Sequence, residues 1–332
     1  MKVFFRFNCG NMWGLGHLYR NMALIEEIAK RGFECEAIIN NHEIAQEMLE
    51  KAHIKFLCVN EYESAGELIS VLKKANNNEK KVVFWDRLNS DVKYIRELTD
   101  SGIKIITYDN YHSSALLATE CINTRVMPLN NVIPLYSGPA YQVLRNEIRE
   151  YSKKKKVINQ NVSKILLHFG GTDPLKILEM CFDALNDLEG CTLEFIGGKE
   201  EDPVIKRRIK ESDNAIYEQG VSDFGRRLFE SDICLVAGGV SMYEAAAIGT
   251  PMINICHNED QEYAAAIFEK NVGSLNLGIA NEVTYQKIRD MVSFLKNDYS
   301  LRKDMSRKMK TFVPANGVEK VCDIIENVIA TG

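Results

Sequence analysis

The chain has 332 residues, 45% hydrophobic and 26% charged, and its 41 basic against 46 acidic side chains leave a net charge of −5. At about 150 residues per domain this length points to two domains, the charge balance excludes a polyanion partner such as nucleic acid, and no apolar run nears the roughly 18 residues of a membrane span. Nine cysteines, odd in number and without a CxxC pair, read as free thiols of a reducing cytoplasm, which excludes a disulfide framework and a zinc site.

Met1–Arg6 opens on a strand-like run and carries no signal-peptide core. Apolar β-branched and aromatic runs then predict buried parallel strands at Lys2–Phe7, Glu34–Ile39, Ile54–Val59, Lys81–Trp85 and Ile103–Tyr108. Helical spacing of apolar residues fills the gaps at His17–Arg31, Glu43–Ala52, Glu63–Lys74 and Ser90–Ser101. In the first helix Met22, Leu24, Ile25, Ile28 and Ala29 make a buried stripe, and Arg31-Gly32 supplies the C-cap. The βαβ rhythm predicts an α/β domain with a parallel sheet and helices on both faces.

The rhythm breaks at Tyr136–Arg145, with its Gly138-Pro139 turn, and at the Lys153–Lys156 run, read as a solvated linker face in preference to a binding patch. The domain boundary is placed there, giving residues 1–150 and 151–332. Alternation then restarts, with strands expected at Lys164–Phe169, Thr192–Ile196, Ala215–Tyr217, Ile233–Ala237 and Met252–Ile255. Helices are expected at Pro174–Asn186, Val204–Glu211, Asp223–Phe229, Ser241–Ile248, Gln261–Lys270 and Thr284–Asn297. Leu301–Lys310 and Val318–Ile329 close the chain as helices. Two similar α/β halves in tandem imply a cleft between domains, a favoured place for a ligand.

Three glycine segments fall where a strand hands over to a helix. In the first, Gly14 and Gly16 let backbone approach a ligand, and the helix start beyond them offers free amides. A dinucleotide fingerprint needs a third glycine where this chain has Tyr19. His17, in the first helical turn, reads either as a general acid or base, kept neutral by the helix N-terminus, or as a helix-start residue bonding local backbone. Arg20, one turn on, is a phosphate clamp or half of a surface ion pair.

The second segment, Gly170-Gly171-Thr172-Asp173-Pro174, offers glycine amides to a diphosphate or sugar, or is a tight turn with Thr/Asp capping a helix whose first residue is Pro174. In the third, Gly238-Gly239-Val240-Ser241 meets an alanine-rich helix whose Ser N-cap and amides could hold a phosphate. Glu244 lies one turn in, as a ribose acceptor or as the capping-box partner of Ser241. His42, His53, His112 and His257 stand singly, so no metal site is expected.

The order Arg6, Gly14-x-Gly16-His17-x-x-Arg20, Trp85-Asp86, Thr107-Tyr108-Asp109-Asn110, Gly138-Pro139-x-Tyr141-x-x-Leu144-Arg145, Gly170–Asp173, Gly238–Glu244 and Asp260-Gln261-Glu262 resembles the PseG/SpsG group. That group holds the UDP-2,4-diacetamido-2,4,6-trideoxy-β-L-altropyranose hydrolase of pseudaminic acid biosynthesis and predicted spore-coat glycosyltransferases. The resemblance runs from about Lys2 to Lys270, and its later glycine turns are shared with wider GT-B proteins such as MurG. It implies a GT-B fold: two doubly wound Rossmann-like domains with parallel sheets facing across a cleft, the nucleotide held mainly by the second.

Carried over, the resemblance makes His17 the residue that activates water against the anomeric carbon as the nucleotide leaves. It assigns Asn8, Gly14, Gly16, Arg20, Asp86, Asp109, Tyr141, Gly170, Gly171, Thr172 and Asp173 to substrate. Gly238, Gly239, Val240, Ser241, Glu244, Asp260 and Gln261 go to the nucleotide, with Ser241 and neighbouring amides at the diphosphate and Glu244 at the ribose. No metal or organic cofactor is implied. The family often has an acid at Asn8, an Asn at Asp260, and serines where this chain has Cys9-Gly10-Asn11. The expected function is hydrolysis of a nucleotide sugar in the cytoplasm; a glycosyltransferase using the same donor site, and a non-catalytic nucleotide-sugar binder, are the alternatives.

Overall fold

The computed structural model describes residues 2–10, 16–75, 81–87, 90–125, 129, 131, 132, 134–171, 173–198 and 203–331. The chain divides into two compact units, Met1–Arg145 joined by Asn316–Gly332, and Asn146–Ala315.

The first unit alternates β1 (Lys2–Phe7), α1 (Gly16–Lys30), β2 (Glu34–Asn40), α2 (Glu43–Lys51), β3 (Phe56–Val59), α3 (Ala65–Ala75), β4 (Lys81–Asp86), α4 (Val92–Asp100) and β5 (Lys104–Tyr108), then adds β6 (Glu120–Asn123) and β7 (Tyr136–Ser137). Its sheet has the order β3-β2-β1-β4-β5-β6-β7, and every pair is parallel. Strand residues on both faces are buried, as a sheet covered on two sides requires. Phe5, Phe7, Phe84, Ile106 and Ile122 pack toward α1, whereas Phe4, Val83, Trp85 and Ile105 pack toward α3 and α4. Gly32, at φ +92°, ends α1, with Phe33 N donating to Ile28 O at 3.3 Å, so the expected C-cap forms.

The closing helix Gly317–Ala330 belongs to this unit, although the division at residue 150 assigned it to the second. Val318, Val321, Cys322, Ile325 and Val328 join the same core as Leu18, Leu24 and Ile28 of α1, and Arg31 Nη1 donates to Asp323 Oδ1 at 2.7 Å and Glu326 Oε2 at 3.0 Å. An amphipathic helix lodges where its apolar face is buried, whatever its place in the chain.

The second unit runs α5 (Asn146–Ser152), β8 (Lys164–His168), α6 (Ile177–Leu185), β9 (Thr192–Gly197), α7 (Pro203–Lys210), β10 (Ala215–Gln219), α8 (Phe224–Glu230), β11 (Ile233–Val236), α9 (Val240–Ile248), β12 (Met252–Cys256), α10 (Glu259–Val272), β13 (Leu275–Ile279), α11 (Tyr285–Asn297) and α12 (Tyr299–Phe312). Its sheet, ordered β10-β9-β8-β11-β12-β13, is also parallel throughout. The expectation of two parallel α/β sheets therefore holds. Lys153, Lys154 and Lys155 of the run after α5 are exposed, as a solvated face requires, whereas Lys156 is drawn in, its Nζ donating to Ser231 O at 2.5 Å and to Phe229 O. Among the described residues, no helix is long and apolar enough to cross a membrane.

Candidate active site

In the first unit the strand order reverses between β1 and β4, and the carboxyl ends of two such strands flank the crevice where open α/β sheets bind ligands. α1 follows β1 with Gly16 and His17 as its first residues, and β4 ends in Asp86. His17 Nδ1 lies 3.0 Å from Asp86 Oδ1 and 2.9 Å from Arg20 Nη2. Arg20 grips the same carboxylate twice, Nε donating to Oδ2 at 2.6 Å and Nη2 to Oδ1. Asn21 Nδ2 adds a bond to Asp86 Oδ2 at 2.6 Å and one to the His17 carbonyl at 2.8 Å. Asp86 is fully buried, and His17 and Arg20 are each 9% exposed, so these groups interact in a setting of low dielectric.

One nitrogen cannot serve both neighbours: His17 Nδ1 either donates to the carboxylate or accepts from the guanidinium. The first arrangement leaves Nε2 with a free lone pair, the tautomer of a base. The second leaves Nε2 protonated, the tautomer of an acid. Burial opposes the Asp86 charge, but Arg20 and His17 outweigh it and hold the carboxyl well below the usual carboxylate range. Burial likewise opposes the Arg20 charge, and Asp86 with Asp109 raises that guanidinium above its ordinary value.

Asp109 follows β5 in the left-handed region, at φ +51°, a conformation that Asp tolerates better than most residues. Thr124 N, Thr124 Oγ1 and the Tyr111 hydroxyl donate to its Oδ1 at 2.8, 2.9 and 2.7 Å. Its other oxygen stands 3.6 Å from Arg20 Nη1. Arg20 Cζ also lies 4.9 Å from the Tyr108 ring centre, and the Tyr108 hydroxyl donates to Tyr141 O at 2.9 Å. His17, Arg20, Asp86 and Asp109 thus form one cluster, joined to Tyr141 through its carbonyl; the Tyr141 ring packs edge-on against Tyr136 at 5.9 Å.

Asn8 belongs to a different buried network. Its Oδ1 accepts from Arg6 Nη1 at 2.7 Å, and Arg6 pairs with Glu63 through Nε at 2.9 Å and Nη2 at 2.7 Å. Asn8 Nδ2 is buried with no hydrogen-bond partner. Gly14 and Thr172 lie outside the described residues.

In the second unit the order reverses between β8 and β11, and the turns Gly170-Gly171 and Gly238-Gly239 follow those two strands. Close backbone approach explains Gly238, where a Cβ would meet Gln261 O at 2.2 Å, and Gly170 takes φ +101°; a Cβ on Gly171 would meet nothing within 4 Å, although its carbonyl leaves only 2.0 Å for a Cβ on Gly198. Gly239, with extended backbone, is the N-cap of α9, and Val240 is its first residue. Ser241 therefore stands inside the helix, against the expectation of a Ser cap, and a capping box built on it does not form. Glu244 is buried on α9. Asp173 accepts from Ile177 N at 2.9 Å and Leu178 N at 2.8 Å. Those bonds delay α6 to Ile177 from the expected Pro174, and they commit both Asp173 oxygens to the helix. Asp260 is an exposed second residue of α10.

Two residues at these edges escaped the sequence reading. Asn21 braces Asp86, 65 positions away. His257, directly after β12, donates from Nε2 to Phe169 O at 2.8 Å, while its backbone N donates to Gln261 Oε1 at 3.0 Å. A carbonyl only accepts, so the neutral ring keeps its lone pair on Nδ1, which is buried without a hydrogen-bond partner. The one available signal was its place at a strand end beside a glycine turn.

No family model matches the chain. It is 21% identical over 329 residues to the spore coat polysaccharide biosynthesis protein SpsG of Bacillus subtilis (strain 168), covering 95% of each chain. Among solved structures it is similar to Acinetobacter baumannii MurG, with a TM-score of 0.71 at 13% identity over 98% of this chain and 99% of that one. UDP-GlcNAc 2-epimerase from Neisseria meningitidis, bound to UDP-GlcNAc, gives a TM-score of 0.67 at 13% identity over 98% and 100%. The fold is of GT-B type, and the resemblance to the PseG/SpsG group extends over almost the full chain as similarity to SpsG.

Proposed function

We propose that the protein is a nucleotide-sugar hydrolase of the cytoplasm, releasing UDP or another nucleotide from an activated amino or deoxy sugar in nonulosonic-acid or surface-polysaccharide biosynthesis. The observation that carries the proposal is the buried His17–Asp86–Arg20 cluster at the strand-order reversal of the first unit. With Nδ1–H donated to Asp86, Nε2 takes a proton from water as the water oxygen attacks the anomeric carbon. The bond from that carbon to the phosphate oxygen breaks, and its electron pair leaves with the nucleotide diphosphate. Asp86 stabilises the imidazolium that forms, and Arg20 keeps Asp86 ionised. A positioned base of this kind contributes about 10²–10⁴-fold in rate.

Arg20, Asp109 and Gly16 are assigned to the sugar, and the amides of the Gly238–Ser241 turn to the diphosphate, which suits a helix N-terminus. Glu244 is assigned to the ribose. Similarity to a protein named for polysaccharide biosynthesis favours a second reading, in which an acceptor hydroxyl replaces water at the same base.

The test is incubation with UDP-, CMP- and GDP-sugars, without acceptor, in water enriched in the heavy oxygen isotope. The proposal expects one nucleotide to be released stoichiometrically, with the heavy oxygen in the anomeric hydroxyl of the sugar. Heavy oxygen in the nucleotide phosphate would reject attack at carbon. Release only when an acceptor is added would establish the transferase, and a donor that binds but stays intact under both conditions would make the protein a silent binder.

A further inference from the structure

We infer that the second unit carries a separate anion site, a basic groove between the lysine run after α5 and one face of α12, that takes a phosphate-bearing group. The groove encloses about 550 Å³ and is lined by Lys155, Lys156, Lys303, Arg307 and Lys310 against the single carboxylate Asp304. That volume falls within the range of small-molecule pockets. The charge is local, since the whole chain is acidic at −5.

Asp304 offsets Arg307, one of the five groove cations, and leaves the four lysines without it. It is shared between Arg307 at 2.6 Å and Lys308 at 2.7 Å. Lys155 and Lys303 have no carboxylate partner among the described residues. Lys156 and Lys310 are drawn inward onto neutral carbonyls: Lys156 onto Phe229 O and Ser231 O, and Lys310 onto Ser152 O at 2.7 Å and Lys154 O at 3.1 Å. Burial lowers both ammonium groups, Lys156 to about 8. Desolvated cations resting on uncharged acceptors gain most from an incoming anion.

Several other cations of this unit meet carboxylates instead, although Arg302, Lys287 and Lys296 also rest on carbonyls. Arg226 pairs with Asp223 and Glu230, Arg208 with Asp183, and Lys153 with Glu150. Two of the groove lysines, Lys156 and Lys310, are held by carbonyl bonds, so their entropy is already lost before a ligand arrives. A terminal phosphate or diphosphate presents three or more acceptor oxygens, which suits a groove lined by four lysines and one arginine. The phosphate of a soluble metabolite and that of an anionic lipid headgroup share this chemistry.

The probes are sodium pyrophosphate, followed by calorimetry, and vesicles of phosphatidylcholine with and without phosphatidylglycerol, followed by sedimentation. Each is applied to the full chain and to the Lys155→Gln/Lys303→Gln/Arg307→Gln variant, whose thermal midpoint should match the parent because these side chains lie at the surface. Salt-sensitive binding is expected, weakened roughly 100-fold in the variant. Bound probe should also protect Lys155 and Lys303 from acetylation while leaving the exposed Lys51 and Lys93 of the first unit reactive. Pyrophosphate binding identifies a soluble phosphate as ligand, and binding confined to phosphatidylglycerol vesicles identifies a lipid phosphate. Failure of both probes, binding that the triple variant leaves unchanged, or protection absent at Lys155 and Lys303 would overturn the site. Pyrophosphate held instead at the Gly238–Ser241 turn would show itself by surviving the triple substitution.

Discussion

Asp86 accepts hydrogen bonds from Arg20 and Asn21 and lies within bonding distance of His17, all in the interior of the first unit. Replacing it by Asn removes the nearer of the two carboxylates that face the buried Arg20 and leaves only Asp109 at 3.6 Å, a change that costs up to about 3–5 kcal/mol. The pH dependence has a definite sign. A carboxyl held below its unfolded value contributes stability that is complete above about pH 4 and is lost as pH falls toward the depressed folded value. Asp86→Asn should therefore lower stability at neutral pH and flatten the acid limb of the stability curve, as urea unfolding across pH would show. An unchanged acid limb would mean that Asp86 is not the linked group. Spacing along the chain was enough to single out His17 and Arg20. It could not reveal that one carboxylate, 66 residues beyond Arg20, orients both, nor that Asn21 completes the brace. Such roles are set by which strand ends lie side by side.

At the scale of elements, β1, β2, β4, β5, β8, β9, β11 and β12 were legible because buried parallel strands are written as continuous apolar runs. β7 has only two residues, and β13 lies at a sheet edge with Asn276 and Gly278 interrupting its apolar pattern, so neither carries that signal. Helix starts were displaced where side chains bonded amides ahead of the expected cap, as at Asp173, or where a glycine took the cap, as at Gly239. The turn before α9 depends on the close passage of Gly238 by the Gln261 carbonyl. A methyl group there must push α10 away, so Gly238→Ala should destabilise the protein by about 1–3 kcal/mol and weaken nucleotide binding. Gly171→Ala, whose Cβ would meet nothing within 4 Å, should leave stability unchanged. Thermal unfolding of the two variants, with nucleotide titration, compares them; equal effects would remove the packing explanation for Gly238.

For the molecule as a whole, the division into two α/β units was readable from the interrupted rhythm near residues 136–156, but the return of the closing helix was not, because an apolar helical stripe does not name the surface it covers. Val318, Val321, Cys322, Ile325 and Val328 of that helix are buried in the first unit. At about 1.5–3 kcal/mol for each fully buried large apolar side chain, their loss rivals the roughly 5–15 kcal/mol that stabilises a typical domain. Ending the chain at Ala315 should unfold the first unit while the second keeps its own melting transition, which calorimetry would resolve as the loss of one of two transitions. The central claim, that a histidine of the first unit performs base catalysis on a nucleotide sugar, is tested most directly by single-turnover nucleotide release with His17→Asn across pH. The account predicts release slowed by about 10²–10⁴-fold, nucleotide affinity nearly unchanged, and a pH profile that differs from the parent's. Turnover close to normal in His17→Asn, with the same pH profile, would contradict it and return His17 to a structural role at the start of α1.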